Sequence, residues 1–127
     1  MERAEPIASY RDLLVWQRAI DLAEHCYAIT KDFPREEVYG LTSQIRRCAV
    51  SVAANIAEGY GRDSAGAYIQ LLKTSQGSLK ELETHLIIAR RTGIARGEVE
   101  TAALARTDEI GRMLRALIRS VEKSAAH

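Results

Sequence analysis

At 127 residues, with 46% hydrophobic and 28% charged side chains, the chain has enough material for one domain with a sizeable core and the balance of a globular protein. Its net charge of +1 excludes a global pull toward nucleic acid or membrane, so any basic site has to be local. The first residues lack the apolar core of a secretory signal and no apolar run approaches the roughly 18 residues of a spanning helix, which predicts a cytoplasmic protein with no membrane partner.

Only two prolines occur, both before residue 35, and Ala, Leu, Arg and Glu are abundant, so helix is expected almost throughout. After a flexible N-terminus (1–9), the first helix is predicted over about 11–31, because Val15, Ala19, Leu22, Cys26 and Ile29 recur at helical spacing with Gln17, Asp21 and Glu24 opposite. Trp16 and Tyr27 fall at core spacing and read as buried aromatics, whereas His25 reads as a surface residue. Pro34 suits the first turn of a second helix, and Glu36 and Glu37 complement its positive end, which predicts helix over about 35–58. The third helix is expected at about 64–91, ending at Arg90, Arg91 and Gly93. The fourth is expected at about 97–123, with Ile110, Met113, Leu114, Leu117 and Val121 on its apolar face and a flexible end at 124–127. Four long helices joined by short corners predict an all-α, antiparallel up-down-up-down four-helix bundle over 10–123. In such a bundle Cys26 and Cys48 sit about 7 Å out of level along the axis, so they are expected as two buried free thiols rather than a disulfide.

The segment NIAEGYGRDSAGAY, residues 55–68, tests for nucleotide chemistry. Its glycines at 59, 61 and 66 do not make G-x-G-x-x-G, no G-K-[ST] is present, and the segment follows a helix rather than a strand. It therefore reads as a corner, with Gly59 and Gly61 ending helix two and Asp63 or Ser64 capping helix three.

Two polar stripes carry more information. On helix two, Gln44, Arg47, Ser51, Asn55 and Glu58 run beside the core face. A further face of Thr42, Ser43, Arg46, Val50, Ala53, Ala54 and Ala57 carries little charge for an outer surface. On helix three, Gln70, Thr74, Gly77, Ser78, Glu81 and His85 form the matching stripe, and a mid-helix glycine at 77 suggests close backbone approach. One reading is a hydrogen-bonded seam within or between subunits, with Arg47 pairing Glu58 or Glu81. The other is a metal or catalytic site on Glu58, Glu81 and His85, for which the Glu81–His85 spacing of four and the lack of histidine on helix two are unfavourable. The seam is the expectation, with no metal, cofactor or catalytic residue, and a second helix that is apolar or small on two sides argues for an oligomer. On helix four, Arg112, Arg115, Arg119 and Lys123 share one arc, either a solvated face partly neutralised by Asp108 or, repeated around a ring, a phosphate-binding stripe.

The stretches YRDLLVWQRAIDLA, FPREEVYGLTSQIRRCAVSVAANIAEGYGR and GSLKELETHL resemble the signature blocks of the four-helix-bundle proteins known as the 23S ribosomal RNA intervening-sequence protein family, over roughly residues 9–121. The resemblance implies an antiparallel bundle assembling as a ring, most often a homopentamer. It also implies a fold similar to that of the accessory protein of diversity-generating retroelements, a basic pentamer that binds RNA and a reverse transcriptase. The family's recurring residues map to Arg47, Asn55, Glu58, Gly59, Ser78 and Glu81, and the resemblance brings no established activity with it. The expectation is a non-enzymatic, homo-oligomeric bundle that presents its surface to a partner, with RNA or a ribonucleoprotein at Arg112, Arg115, Arg119 and Lys123. A protein–protein scaffold without nucleic acid is the alternative, and a metal-binding bundle enzyme is a third.

Overall fold

Four helices make up most of residues 6–126, the part of the chain described by the computed structural model: α1 (Leu14–Thr30), α2 (Leu41–Tyr60), α3 (Ala65–Arg91) and α4 (Gly97–Ala125). No strand occurs among the described residues, and none of the helices is long and apolar enough to cross a membrane. α1 and α3 each pack against both α2 and α4, so the four helices enclose one core. Leu22, Ile45, Ile56, Leu72, Leu82 and Leu114 have no exposed surface within it. Each such side chain contributes about 1.5–3 kcal/mol by leaving water. Thr30, Thr42, Ser75 and Thr107 are the buried polar residues among those described. Three of them satisfy their hydroxyls as donors: Thr30 to the Cys26 carbonyl at 2.7 Å, Ser75 to the Val52 carbonyl at 2.8 Å, and Thr107 to Glu83 Oε2 at 2.8 Å.

The helix starts differ from the periodicity for local reasons. Tyr10–Asp12 is a 3-10 turn, closed by Ser9 and Asp12 in a reciprocal capping box, and Leu13 then turns extended (ψ 123°), so α1 begins at Leu14 rather than at Arg11. The Asp12 carboxylate also accepts the Ala8 and Ser9 amides, at 2.9 and 3.1 Å, which ties down residues expected to be free. The remainder of that expected flexible segment, residues 1–5, lies outside the described residues. Arg35–Glu37 is likewise a separate 3-10 turn, and Gly40 (φ −108°, ψ −117°) breaks the chain before α2. At the other end, Ser124 and Ala125 continue α4 and only His127 of the expected flexible tail lies outside the described residues.

The corner between α2 and α3 is short, with Gly61 as C-cap and the Ser64 hydroxyl accepting the Ala67 amide at 3.1 Å to start α3. Gly59 does not end α2 but lies buried inside it. A Cβ there would sit 3.0 Å from Tyr68 Cδ1 and 3.2 Å from Leu71 Cβ, so its missing side chain is what lets α3 come close. Gly93 (φ +79°) closes α3, as the Ile94 and Ala95 amides bond back to the Ala89 carbonyl, both at 2.9 Å. Gly77 has no such neighbour within the chain. Nothing lies within 4 Å of a Cβ built on it, so it permits no close approach inside the chain, although a mid-helix glycine costs about 0.5–1 kcal/mol relative to alanine.

Two aromatic expectations also change. Trp16 is half-buried and meets the edge of Tyr10, with ring centres 5.2 Å apart. Tyr27 is 47% exposed rather than buried. It falls at the margin of the α1 stripe, where its ring receives the Arg46 guanidinium at 4.6 Å while Arg46 Nε donates to Thr30 Oγ1 at 2.8 Å. Arg46 thus ties α2 to α1 through both a cation–π contact and a hydrogen bond.

Candidate functional site

The polar stripes of α2 and α3 meet along part of their length. Ser51 and Ser78 share a hydrogen bond of 2.8 Å, and the Asn55 amide donates to the Ser51 carbonyl at 2.8 Å and to its hydroxyl at 3.0 Å. One turn away, Cys48 Sγ donates to Glu81 Oε2 at 3.3 Å. Around this half-buried centre, His85 is half-buried while Gln44, Arg47, Glu58, Thr74 and Glu81 are exposed. Among the described residues Arg47 pairs with neither predicted partner: Glu58 bonds Arg62 of the corner after α2 at 2.5 Å, and Glu81 takes the thiol. Thr74 turns away from α2 and bonds the Gln70 carbonyl at 3.0 Å. Among the described residues no three His, Cys, Asp or Glu side chains come together in a way that could hold a metal ion.

Burial pushes both thiols up to about 12, and for Cys48 the hydrogen bond to the Glu81 carboxylate adds to the effect. The thiols, ordinarily near 9.0, therefore stay protonated in the folded chain well above that value. The unfolded chain loses these protons first as the solution becomes alkaline. Their contribution to stability is complete below pH 9.0 and disappears as pH rises toward about 12. A Cys26→Ala, Cys48→Ser variant should show a shallower loss of thermal midpoint with pH across that window than the wild type. Equal slopes would show that other groups dominate.

Beside the seam, α2, the turn before it and the neighbouring face of α1 together expose apolar side chains. Val50 is 45% exposed, Val38 50%, Tyr27 47% and Tyr39 94%, and Ala54 is exposed one turn beyond Val50. Tyr27, Val38, Thr42 and Val50 line a groove of about 600 Å³ whose far wall is Arg47 and Ser51, residues of the polar stripe. Apolar face and seam are therefore one continuous surface. The periodicity had shown this face only as small and low in charge; the contribution of Tyr27, Val38 and Tyr39 depends on where the turn before α2 folds.

The α4 stripe is exposed along its whole length. Arg112 is held by Asp108 on the preceding turn. Arg115, Arg119 and Lys123 have no carboxylate partner among the described residues. Arg115 leans back over Gly111, its Nη1 3.7 Å from where a Cβ would stand. His25, expected at the surface, is instead half-buried, with Nε2 enclosed and without a hydrogen-bond partner among the described residues. Burial, and then the charge of Arg106, hold its pKa below the ordinary value.

A family model described as 23S rRNA-intervening sequence protein matches residues 11–116. A solved structure, that of a protein with unknown function from the S23 ribosomal protein family of Bacteroides thetaiotaomicron, superposes with a TM-score of 0.78 at 23% identity. The match covers 84% of this chain and 96% of that one, a likeness of fold. No curated protein matches.

Proposed function

The chain belongs to the 23S rRNA-intervening sequence protein family, and from that membership and the surfaces above we propose a non-enzymatic, cytoplasmic interaction protein. It is an antiparallel bundle that assembles with copies of itself into a closed ring, five-membered as the sequence resemblance implies, and presents α4 outward to RNA or a ribonucleoprotein. The observation that carries the assembly is the continuous apolar and polar surface of α2 and the turn before it, where Val50 and Val38 stand in water in the single chain. An exposed apolar face rimmed by polar groups marks a place where protein covers protein. The antiparallel course is supported by partners whose numbers rise on α2 as they fall on α3: Cys48 with Glu81, Ser51 with Ser78, Val52 with Ser75.

The partner is supported by Arg115, Arg119 and Lys123, three cations without carboxylate partners among the described residues on one helix face. A ring multiplies that face, and phosphate contacts repeated this way give binding that falls steeply with salt. Reversing the charge of Arg112, Arg115, Arg119 and Lys123 together should abolish retention of RNA while leaving the subunit number unchanged, both read by native mass spectrometry. Retention equal to wild type would overturn the nucleic-acid reading. The protein-only scaffold would then stand, with binding insensitive to the stripe and weakly dependent on salt.

A further inference from the structure

The groove between α3 and α4 is floored by two glycines, Gly77 on α3 and Gly111 on α4, with Leu79 between them, and has a volume of about 390 Å³. Its rim is Lys73 and Lys80 of α3 and Arg115 of α4, and no aspartate or glutamate lines it. Of these cations only Lys80 has a counter-ion among the described residues, Glu83 at 3.0 Å, and that carboxylate is shared, since its other oxygen accepts the Thr107 hydroxyl. We propose that this groove is a binding site for a phosphate ester, with Lys73, Lys80 and Arg115 holding the phosphate and the glycine floor admitting it against the helices.

Three like charges around one cleft repel one another, and a multiply charged oxyanion removes that repulsion where a single carboxylate would not. A guanidinium binds phosphate through two parallel N–H donors and a lysine binds it as a point charge, so the rim supplies both kinds of contact. Gly77 otherwise has no account within the chain. It weakens its helix, nothing approaches it, and its effect is to leave the cleft open. The Arg115 guanidinium lies over Gly111, its Nη1 3.7 Å from where a Cβ would stand, and lines the cleft.

The site shares Arg115 with the α4 stripe and so rests in part on the reading of this protein as an RNA partner, while the chemistry it recognises is that of any phosphate ester. The test uses Gly77→Leu, which fills the groove without changing a charge. Nothing lies within 4 Å of a Cβ at this position, and leucine favours helix over glycine, so the variant is expected to fold with a thermal midpoint no lower than wild type, which circular dichroism checks. Binding of inorganic pyrophosphate and of a short oligouridylate is measured for wild type, for Gly77→Leu, and for Arg119→Glu with Lys123→Glu. The proposal expects wild type to bind both probes and Gly77→Leu to lose about tenfold or more of the affinity for each. The stripe variant should weaken only the oligonucleotide. Pyrophosphate binding lost in Gly77→Leu without any oligonucleotide binding in wild type would keep the groove, assign it a free phosphate ester, and overturn the RNA reading. Unchanged binding of both probes by Gly77→Leu, or no pyrophosphate binding by wild type, would overturn the groove and leave the RNA reading to the stripe alone.

Discussion

On the proposed assembly, Val50→Glu combined with Ala54→Glu is expected to yield single folded subunits. Both positions face water in the isolated chain, Val50 at 45% exposure, so two carboxylates there cost the bundle little. In an assembly they would be pressed against a neighbour's apolar surface at every contact. An unpaired charge trapped in such a contact costs about 3–5 kcal/mol, which weakens association at least roughly a hundredfold. Native mass spectrometry reads the subunit number, and circular dichroism at the same concentration verifies that helix content is unchanged. A variant that keeps the wild-type subunit number would remove the α2 face from the assembly and transfer attention to the exposed Leu14 beside α4.

Gly59→Val should be the most damaging single substitution near the α2–α3 corner, costing about 1–3 kcal/mol by overpacking. Its first added atom meets Tyr68 Cδ1 at 3.0 Å, Leu71 Cβ at 3.2 Å and the Tyr68 carbonyl oxygen at 3.3 Å. The tyrosine ring can give way, but the carbonyl and the Leu71 Cβ belong to α3 itself and move only if the helix moves. Gly61→Ala is the control. Its Cβ would meet nothing nearer than the Glu58 carbonyl oxygen at 3.6 Å, and its φ of −80° suits any residue, so its stability should be unchanged or slightly raised. Thermal midpoints compare the two directly, at roughly 4 °C for each kcal/mol. Equal effects at both positions would mean that the corner, not the approach of α3, sets the need for glycine.

The fate of these two glycines shows what was legible in the chain. Helical periodicity identified all four helices, because Leu22, Ile45, Leu82 and Leu114 repeat at the spacing that buries one stripe. It missed the starts of α1 and α2, since a 3-10 turn continues nearly the same side-chain spacing while bonding three residues back. Gly59 read as a terminator because its true neighbour, Tyr68, is brought opposite it only once the corner has folded. The seam was legible to the extent that Ser51, Asn55 and Ser78 share matching stripes, and illegible where long side chains choose among partners: Glu58 took Arg62 in place of Arg47. The groove at Gly77 could not be read at all. A mid-helix glycine signals either a neighbour that comes close or a space left open, and within the chain it is the space, lined by Lys73 and Arg115, that is seen.

The corner from Gly61 to Ser64 also governs the order in which the molecule is made. α2 and α3 share the most extensive helix contact, yet the connection that must close to form it is the shortest of the three. Closing a short loop costs little entropy, so this pair is expected to gain its contacts before the longer connection between α1 and α2 is ordered. In reverse, the backbone amides around Val52, Ser75 and Leu79 are the last to exchange with solvent, while the outer helices open first.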